Sequence, residues 1–434
     1  MIRYIIGLTG SLGSGCTTVA KHLEDKMKFA KISISKEILE PLAKNKGKPF
    51  GETGQKQDFG NLMRGKENRE EYKKTLFDAI EKYKDNEHLV IECFRNPIEI
   101  EFLRDRYPHF YLIALYAPED QRRDRKKHEK EFDKIDQRDK GEDNKHGQQV
   151  RKCVNQADIV IDNSMEWRTI NDAENFFSKV ESYITLLKEP YRAPTNMELN
   201  MHLAYSVSLL SSCIQRQVGA VITDFKDRVL SVGQNSPPTG QFPCIDIYSQ
   251  CYRRIKKKEH LIELRQEFQY CPHCGYDLGI TKEEINPKTV EDNVFICNSC
   301  NKNLLDILSG KELDFCRSLH AEENAILSNL SLQKTSDNLK MYVTTFPCML
   351  CAKKIVNSGI KSVIFVEPYP IQEARDILME NNVMLKTFEG VKSLSFNWIF
   401  RMRGKYLKEK SRERQKNLNS LLGGDQNGQM PQMP

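Results

Sequence analysis

Between residues 320 and 351 the chain carries His320-Ala-Glu322 and, 25 residues beyond the glutamate, Pro347-Cys348-x-x-Cys351. No other stretch constrains the fold as tightly. Each half of the pattern opens an amphipathic segment, AEENAILSNL after the histidine and CMLCAKKIVNSG around the cysteines, and the strand-like KMYVTTF lies between them. A helix, strand, helix run of that length brings two helix N-termini to one end of a sheet, where His320, Cys348 and Cys351 can meet a single ion. Three protein ligands and an open fourth position are the arrangement of a catalytic zinc, whereas a structural zinc is closed by four. An ion so held lowers the pKa of a bound water to roughly 7.

The pattern H-x-E…P-C-x-x-C is the signature of zinc-dependent base deaminases. Glu322 is not needed as a ligand and is the candidate catalytic residue, taking the water's proton and passing it to the ring nitrogen and the departing ammonia. The competing reading makes the same His and Cys residues part of a closed structural site. A second set, Cys271-x-x-Cys274 and Cys297-x-x-Cys300 with 22 residues between the pairs, has zinc-ribbon spacing and predicts a second, structural zinc inside an insert at about 244–313. Four exposed free thiols are the alternative. The insert's role is open among scaffold, pocket cap and docking surface, and Cys244 and Cys251 with His260 offer a further metal candidate. Thirteen cysteines in a chain with no secretory pattern at its start point to metal and thiol chemistry rather than disulfides. Cys93, Cys153 and Cys213 sit in apolar surroundings and are expected in the core.

At the other end, GSLGSGCTT (residues 10–18) follows the apolar RYIIGLTG and precedes the helical TTVAKHLEDKM. Strand, glycine loop and helix in that order are the context of a phosphate-binding P-loop, so Gly10, Ser11, Gly13, Ser14, Gly15, Cys16, Thr17 and Thr18 are candidate nucleotide-binding residues. An incidental Gly/Ser turn is the plainer alternative. Cys16 stands where the motif has lysine, so little phosphoryl transfer is expected. Thr17 can still meet Mg2+, with Glu92 at the end of HLVIECF as its acidic partner. The charged run QRRDRKKHEKEFDKIDQRDKGEDNKHG reads either as a solvated helix or as a lid bringing Arg122 or Arg125 to phosphates.

Apolar strands alternating with amphipathic helices predict a parallel α/β sheet with helices on both faces over residues 1–188, up to the break at EPYRAPTN. Residues 196–400 form a second α/β unit carrying the Cys-rich insert, and 401–434 a basic helix with a disordered tail from NLNSLLGG onward. The net charge of +6 is modest for 434 residues and gives no concentrated nucleic-acid face. The late run RMRGKYLKEKSRERQK is compatible with a solvated helix, an RNA or a partner protein. No run reaches the roughly 20 apolar residues of a membrane helix, so no membrane partner and a cytoplasmic location are expected.

Residues 197 to about 400 resemble the deoxycytidylate deaminase family through RQVGAVI, GQNSPPTG, HAEENAI, FPCMLC and the VEPYP segment, in that order. The resemblance implies a cytidine-deaminase αβα fold, a catalytic zinc, a deoxycytidine nucleotide as substrate, substrate contacts from Asn235 and Ala321, and a homo-oligomer. Phe346 departs from the family's Asn or Ser before Pro-Cys, which bears on base preference. VIECFRNPIEIEFLRDR, LIALYAPEDQRRDR and GQQVRKCVNQADIVIDNS make the first half similar to P-loop nucleoside and nucleotide kinases. Together the halves resemble the two-domain antiviral deaminases of bacteria. That implies dCTP and dCMP as substrates, depletion of dCTP in defence, regulation through the P-loop half, and a brake that in some systems is a small RNA. A tRNA or single-stranded DNA editing deaminase shares the same zinc signature, and a phosphate sensor with a silent deaminase half is the other competitor. The modest charge argues against the first and the intact ligand set against the second.

Overall fold

The computed structural model describes residues 4–141, 146–165, 167, 169–264, 270–271, 274–277, 297, 299–300, 316–330, 338–366 and 372–422. In the first half, apolar runs bounded by turn residues form β1 (Tyr4–Thr9), β2 (Ala30–Ser33), β3 (His88–Phe94), β4 (Phe110–Tyr116) and β5 (Ile159–Asp162). β1 pairs in parallel with β3 and β4, β2 with β3, and β4 with β5. Nearly every residue of β1, β3 and β4 is buried, as helices on both faces require. The apolar run FAKISIS is a strand only to Ser33, and Ile34–Leu39 continues as a wide π-helical turn.

The second half forms β6 (Gly219–Thr223), β7 (Val229–Gln234), β8 (Leu339–Val343), β9 (Ile360–Phe365) and β10 (Met384–Thr387), in the order β10-β9-β8-β6-β7. β6 runs antiparallel to both β7 and β8, and β8, β9 and β10 are parallel. Helices Asn196–Ser208, Ala321–Leu330 and Met349–Asn357 pack on it.

The chain then returns to the first sheet. A short strand, β11 (Gly390–Val391), pairs antiparallel with β5 and closes that edge, giving the order β11-β5-β4-β1-β3-β2. Phe396 and Ile399, from the helix Ser393–Leu422, join the core of the first half. Residues 390–399 were expected to close the second unit, but they pack on the first. One apolar cluster also runs from Ile5, Leu89 and Leu112 to Met201, Ala204, Tyr342 and Phe388, so the halves share a core. The segment joining the halves is pinned too: Arg192 reaches both carboxylate oxygens of the buried Glu198, at 2.7 and 2.8 Å, and Glu198 Oε1 accepts the Val391 N–H at 2.9 Å.

The charged run of the first half forms two helices, Glu119–Arg125 and Phe132–Lys140, with Phe132 and Ile135 buried. The C-terminal helix reaches Leu422, past the expected start of the tail; the rest of the tail, VEPYP from Glu367 on, and most of the Cys-rich insert lie outside the described residues. Among the described residues no helix is long and apolar enough to cross a membrane.

Candidate functional site

His320, Cys348 and Cys351 converge at the N-terminal ends of two neighbouring helices. His320 is fixed on one side by reciprocal backbone hydrogen bonds between Leu319 and Ser236, and on the other by its carbonyl, which accepts the Asn324 N–H at 3.0 Å and so starts Ala321–Leu330. Cys348 does the same for Met349–Asn357, its carbonyl accepting the Ala352 N–H at 2.8 Å. The first helix can approach β7 because Gly233 has no side chain: a Cβ there would lie 2.3 Å from the Ala321 carbonyl oxygen. Local capping thus sets ligand positions directly.

His320 Nδ1 lies 3.3 Å from Cys351 Sγ and 3.4 Å from Cys348 Sγ. Zinc bonds of about 2.0 Å to nitrogen and 2.3 Å to sulfur at tetrahedral angles put those atoms about 3.6 Å apart, so the donor set fits the ion. Among the described residues these three side chains form one of two clusters able to hold a metal. Hydrogen bonding from Cys351, with His320 beside it, holds the Cys348 thiol down to about 4. Glu322 lies behind the triad at 3% exposure, and burial pushes its carboxyl up from the ordinary range. A buried carboxylate with a raised affinity for protons beside such a triad is the kind of group that general acid–base chemistry uses.

Asn235 and Ala321, the residues expected to contact substrate, are both buried. The Asn235 amide is committed to the protein, Oδ1 accepting the Val218 N–H and Nδ2 donating to the Arg216 carbonyl, both at 2.8 Å; it shapes the loop before β6. Ala321 is fully buried. Phe346 packs edge-on against Phe365, with ring centroids 4.8 Å apart.

The second metal cluster is Cys271, Cys274, Cys297 and Cys300. Its Sγ atoms pair at 3.8 Å (Cys271 and Cys300) and 3.6 Å (Cys274 and Cys297), against about 3.8 Å for thiolates around zinc.

In the first half, Gly10, Ser11, Gly13, Ser14, Gly15, Cys16, Thr17 and Thr18 line a cavity of ≈ 760 Å³. Gly15 holds a φ of +109° just ahead of the helix Cys16–Met27, a backbone that favours glycine. Burial pushes the Cys16 thiol up to about 11, so it stays neutral where a P-loop carries its ammonium. The two expected lid arginines diverge. Arg122 is 1% exposed; it pairs with Asp136 and donates to the carbonyls of Ala117 and Leu12, both at 3.1 Å, bracing the loop from behind. Arg125 lines the cavity and donates to the Asn163 carbonyl at 2.8 Å. Arg95, which the sequence reading passed over, lines it as well, as does Cys93, expected in the core. The available signal was Arg95's place just past the C-terminal end of β3, the edge at which α/β sheets bind ligands.

Residues 194–367 match the model of the cytidine and deoxycytidylate deaminase zinc-binding region, and residues 6–151 match that of an AAA domain. The chain is 31% identical over 169 residues to the deoxycytidylate deaminase of Enterobacteria phage T4, covering 39% of this chain and 76% of that one. It is 26% identical over 189 residues to the deoxycytidylate deaminase of Schizosaccharomyces pombe, covering 43% of this chain and 42% of the yeast one. Among solved structures it is similar to a shikimate kinase of Bacteroides thetaiotaomicron, at 19% identity and a TM-score of 0.28, covering 42% of this chain and 98% of the kinase.

Proposed function

The chain belongs to the deoxycytidylate deaminase family, and from this we propose that its His320, Cys348 and Cys351 site removes the exocyclic amino group of dCMP, and of dCTP, by hydrolysis. The observation that carries the reading is the convergence of those ligands beside the buried Glu322. Zinc held there supplies an acidified water at neutral pH. Glu322 accepts that water's proton as the oxygen bonds to C4 of the base, and donates it to N3. A second transfer through the same carboxyl protonates the amino group as the C4–N bond breaks, releasing ammonia and leaving the uracil carbonyl. His320, Cys348 and Cys351 would hold the ion, and the Phe346 and Phe365 rings pack together beside Cys348.

The joining of a P-loop half to a deaminase half over a shared core supports the reading that a phosphoryl ligand at Gly10–Thr18, with Mg2+ near Thr17 and Glu92, regulates the deaminase; the resemblance to two-domain antiviral deaminases carries the reading of dCTP depletion in defence. The Cys271, Cys274, Cys297 and Cys300 cluster supports a second, structural zinc.

The test is a panel of dCMP, dCTP, single-stranded DNA and tRNA with the full-length protein, read by ammonia release and product mass. Turnover of free nucleotides is expected; turnover confined to the polynucleotides would replace this reading with an editing one. Glu322→Ala is expected to keep its zinc and lose roughly 10²–10⁴-fold in kcat. Near-normal turnover in that variant would remove Glu322 from the chemistry.

A further inference from the structure

Position 16 leaves the phosphate loop without the lysine that usually faces the β- and γ-phosphates. Arg95 lies beside that gap. It lines the cavity with Cys16 and Cys93, and its charge acts on both thiols, lowering their pKa values against the larger effect of burial.

In this structure the Arg95 guanidinium is held by Asp139, from the helix Phe132–Lys140. The Asp139 carboxylate is 1% exposed; its Oδ2 also accepts the Leu12 N–H of the loop at 3.0 Å, and its Oδ1 accepts Gln57 Nε2 at 3.1 Å. One buried carboxylate therefore takes a loop N–H together with a cation of the cavity wall, the pair of contacts a phosphoryl oxygen makes in such loops. A second observation points to a ligand. Asn163, which lines the cavity and is 3% exposed, leaves its Oδ1 without a hydrogen-bond partner among the described residues, as does Glu92 Oε2 at 4% exposure. Buried acceptors of this kind call for a donor or a cation arriving with the occupant.

We propose that Arg95 stands in for the missing P-loop lysine, and that Asp139 is an internal carboxylate plug displaced when a nucleoside di- or triphosphate with its divalent cation binds. The cavity volume of ≈ 760 Å³ suits an occupant of that size. Arg125 and Lys126 on the rim add positive charge for the phosphates. In the plugged state Arg95 is neutralised; in the bound state the same guanidinium faces phosphate and Asp139 gives up the Leu12 N–H. The inference rests on the reading that the N-terminal half takes a phosphoryl ligand.

Calorimetric titration of the full-length protein with magnesium tripolyphosphate tests it. Arg95→Gln is expected to weaken binding roughly 10- to 100-fold, the loss of one charge-assisted contact. Adding Cys16→Lys to that variant is expected to restore it, because the ammonium returns to the motif's own position. Asp139→Asn, which keeps the shape and removes the charge, is expected to tighten binding several-fold. Wild-type affinity in Arg95→Gln overturns the proposal, and so does unchanged or weaker binding in Asp139→Asn, which decides the matter if the arginine variant fails to fold. No binding by the wild-type protein would instead overturn the premise that this half takes a phosphoryl ligand.

Discussion

Lys392 is 3% exposed and donates from Nζ to the carbonyls of Val154 and Asn155 at 2.9 and 2.7 Å. Burial brings its pKa down to about 7; Asp158 opposes the shift, Arg104 adds to it, and the Tyr205 ring lies 5.2 Å from the ammonium. Below pH 7 the folded and unfolded chains both hold the proton, and the folded one bears the desolvation cost. From there toward 10.5 the unfolded chain holds more protons than the folded one, so stability rises with pH by up to about 1.4 kcal/mol per unit. Lys392→Met is expected to flatten that rise, measured as urea midpoints at several pH values between 6.5 and 9.5; an unchanged slope would mean that the amine titrates normally. Residues of this kind were not legible in the sequence. His320, Glu322, Cys348 and Cys351 were, because metal ligation needs particular side chains at a spacing that local helices and one strand enforce. Arg95, Arg122 and Lys392 are ordinary cations until packing decides which carboxylate or carbonyl each one meets.

Among the elements, strands with long apolar runs were legible, β1, β3 and β4 among them. β10 and β11 were not: β11 has only two residues, and β10, MLKT, lacks the continuous apolar run that marks β5. The run from Gln121 to Gly147 was read by its charge, yet Phe132 and Ile135 turn one face inward and carry Asp136 and Asp139 with them. In the Cys-rich insert spacing was the stronger guide. Cys271 N–H donates to the Tyr276 carbonyl at 2.7 Å and Gly275 N–H to the Cys271 carbonyl at 2.8 Å, a tight knuckle in which Gly275 takes a φ of +71°. Such a turn brings the sulfur atoms of one Cys pair to one side, where the proposed second zinc would bind. Metal analysis is expected to find two zinc ions per wild-type chain and one in Cys274→Ser, with a lower thermal midpoint in the variant. Two ions retained in the variant would detach this cluster from zinc.

Across the whole molecule, the two candidate sites are joined by short contacts through the seam that β11 creates. Asn163 Nδ2 donates to the Ser14 carbonyl of the P-loop at 2.8 Å. Next to it, the Asp162 N–H donates to Glu389 Oε2 at 2.9 Å, and Lys179 bridges the Asp162 carbonyl and the same carboxylate, both at 2.7 Å. One residue before Glu389 in the chain, the Phe388 N–H donates to the Phe365 carbonyl at 2.7 Å, and Phe365 packs on Phe346, two residues before Cys348. These contacts offer the proposed regulation a route from the P-loop through Asn163, Asp162 and Glu389 to Phe388 and Phe365, which packs on Phe346 near Cys348. If the proposed regulation runs through this seam, Glu389→Gln, which keeps the side chain's shape but weakens its hold on Lys179, reduces the ratio of deamination rates with and without saturating tripolyphosphate. The expected change is about 0.5–2 kcal/mol of coupling, or roughly 2- to 30-fold in the ratio, with zinc content unchanged. A wild-type ratio different from one that survives intact in Glu389→Gln would place the communication elsewhere in the shared core, whereas a wild-type ratio of one would end the regulatory reading itself.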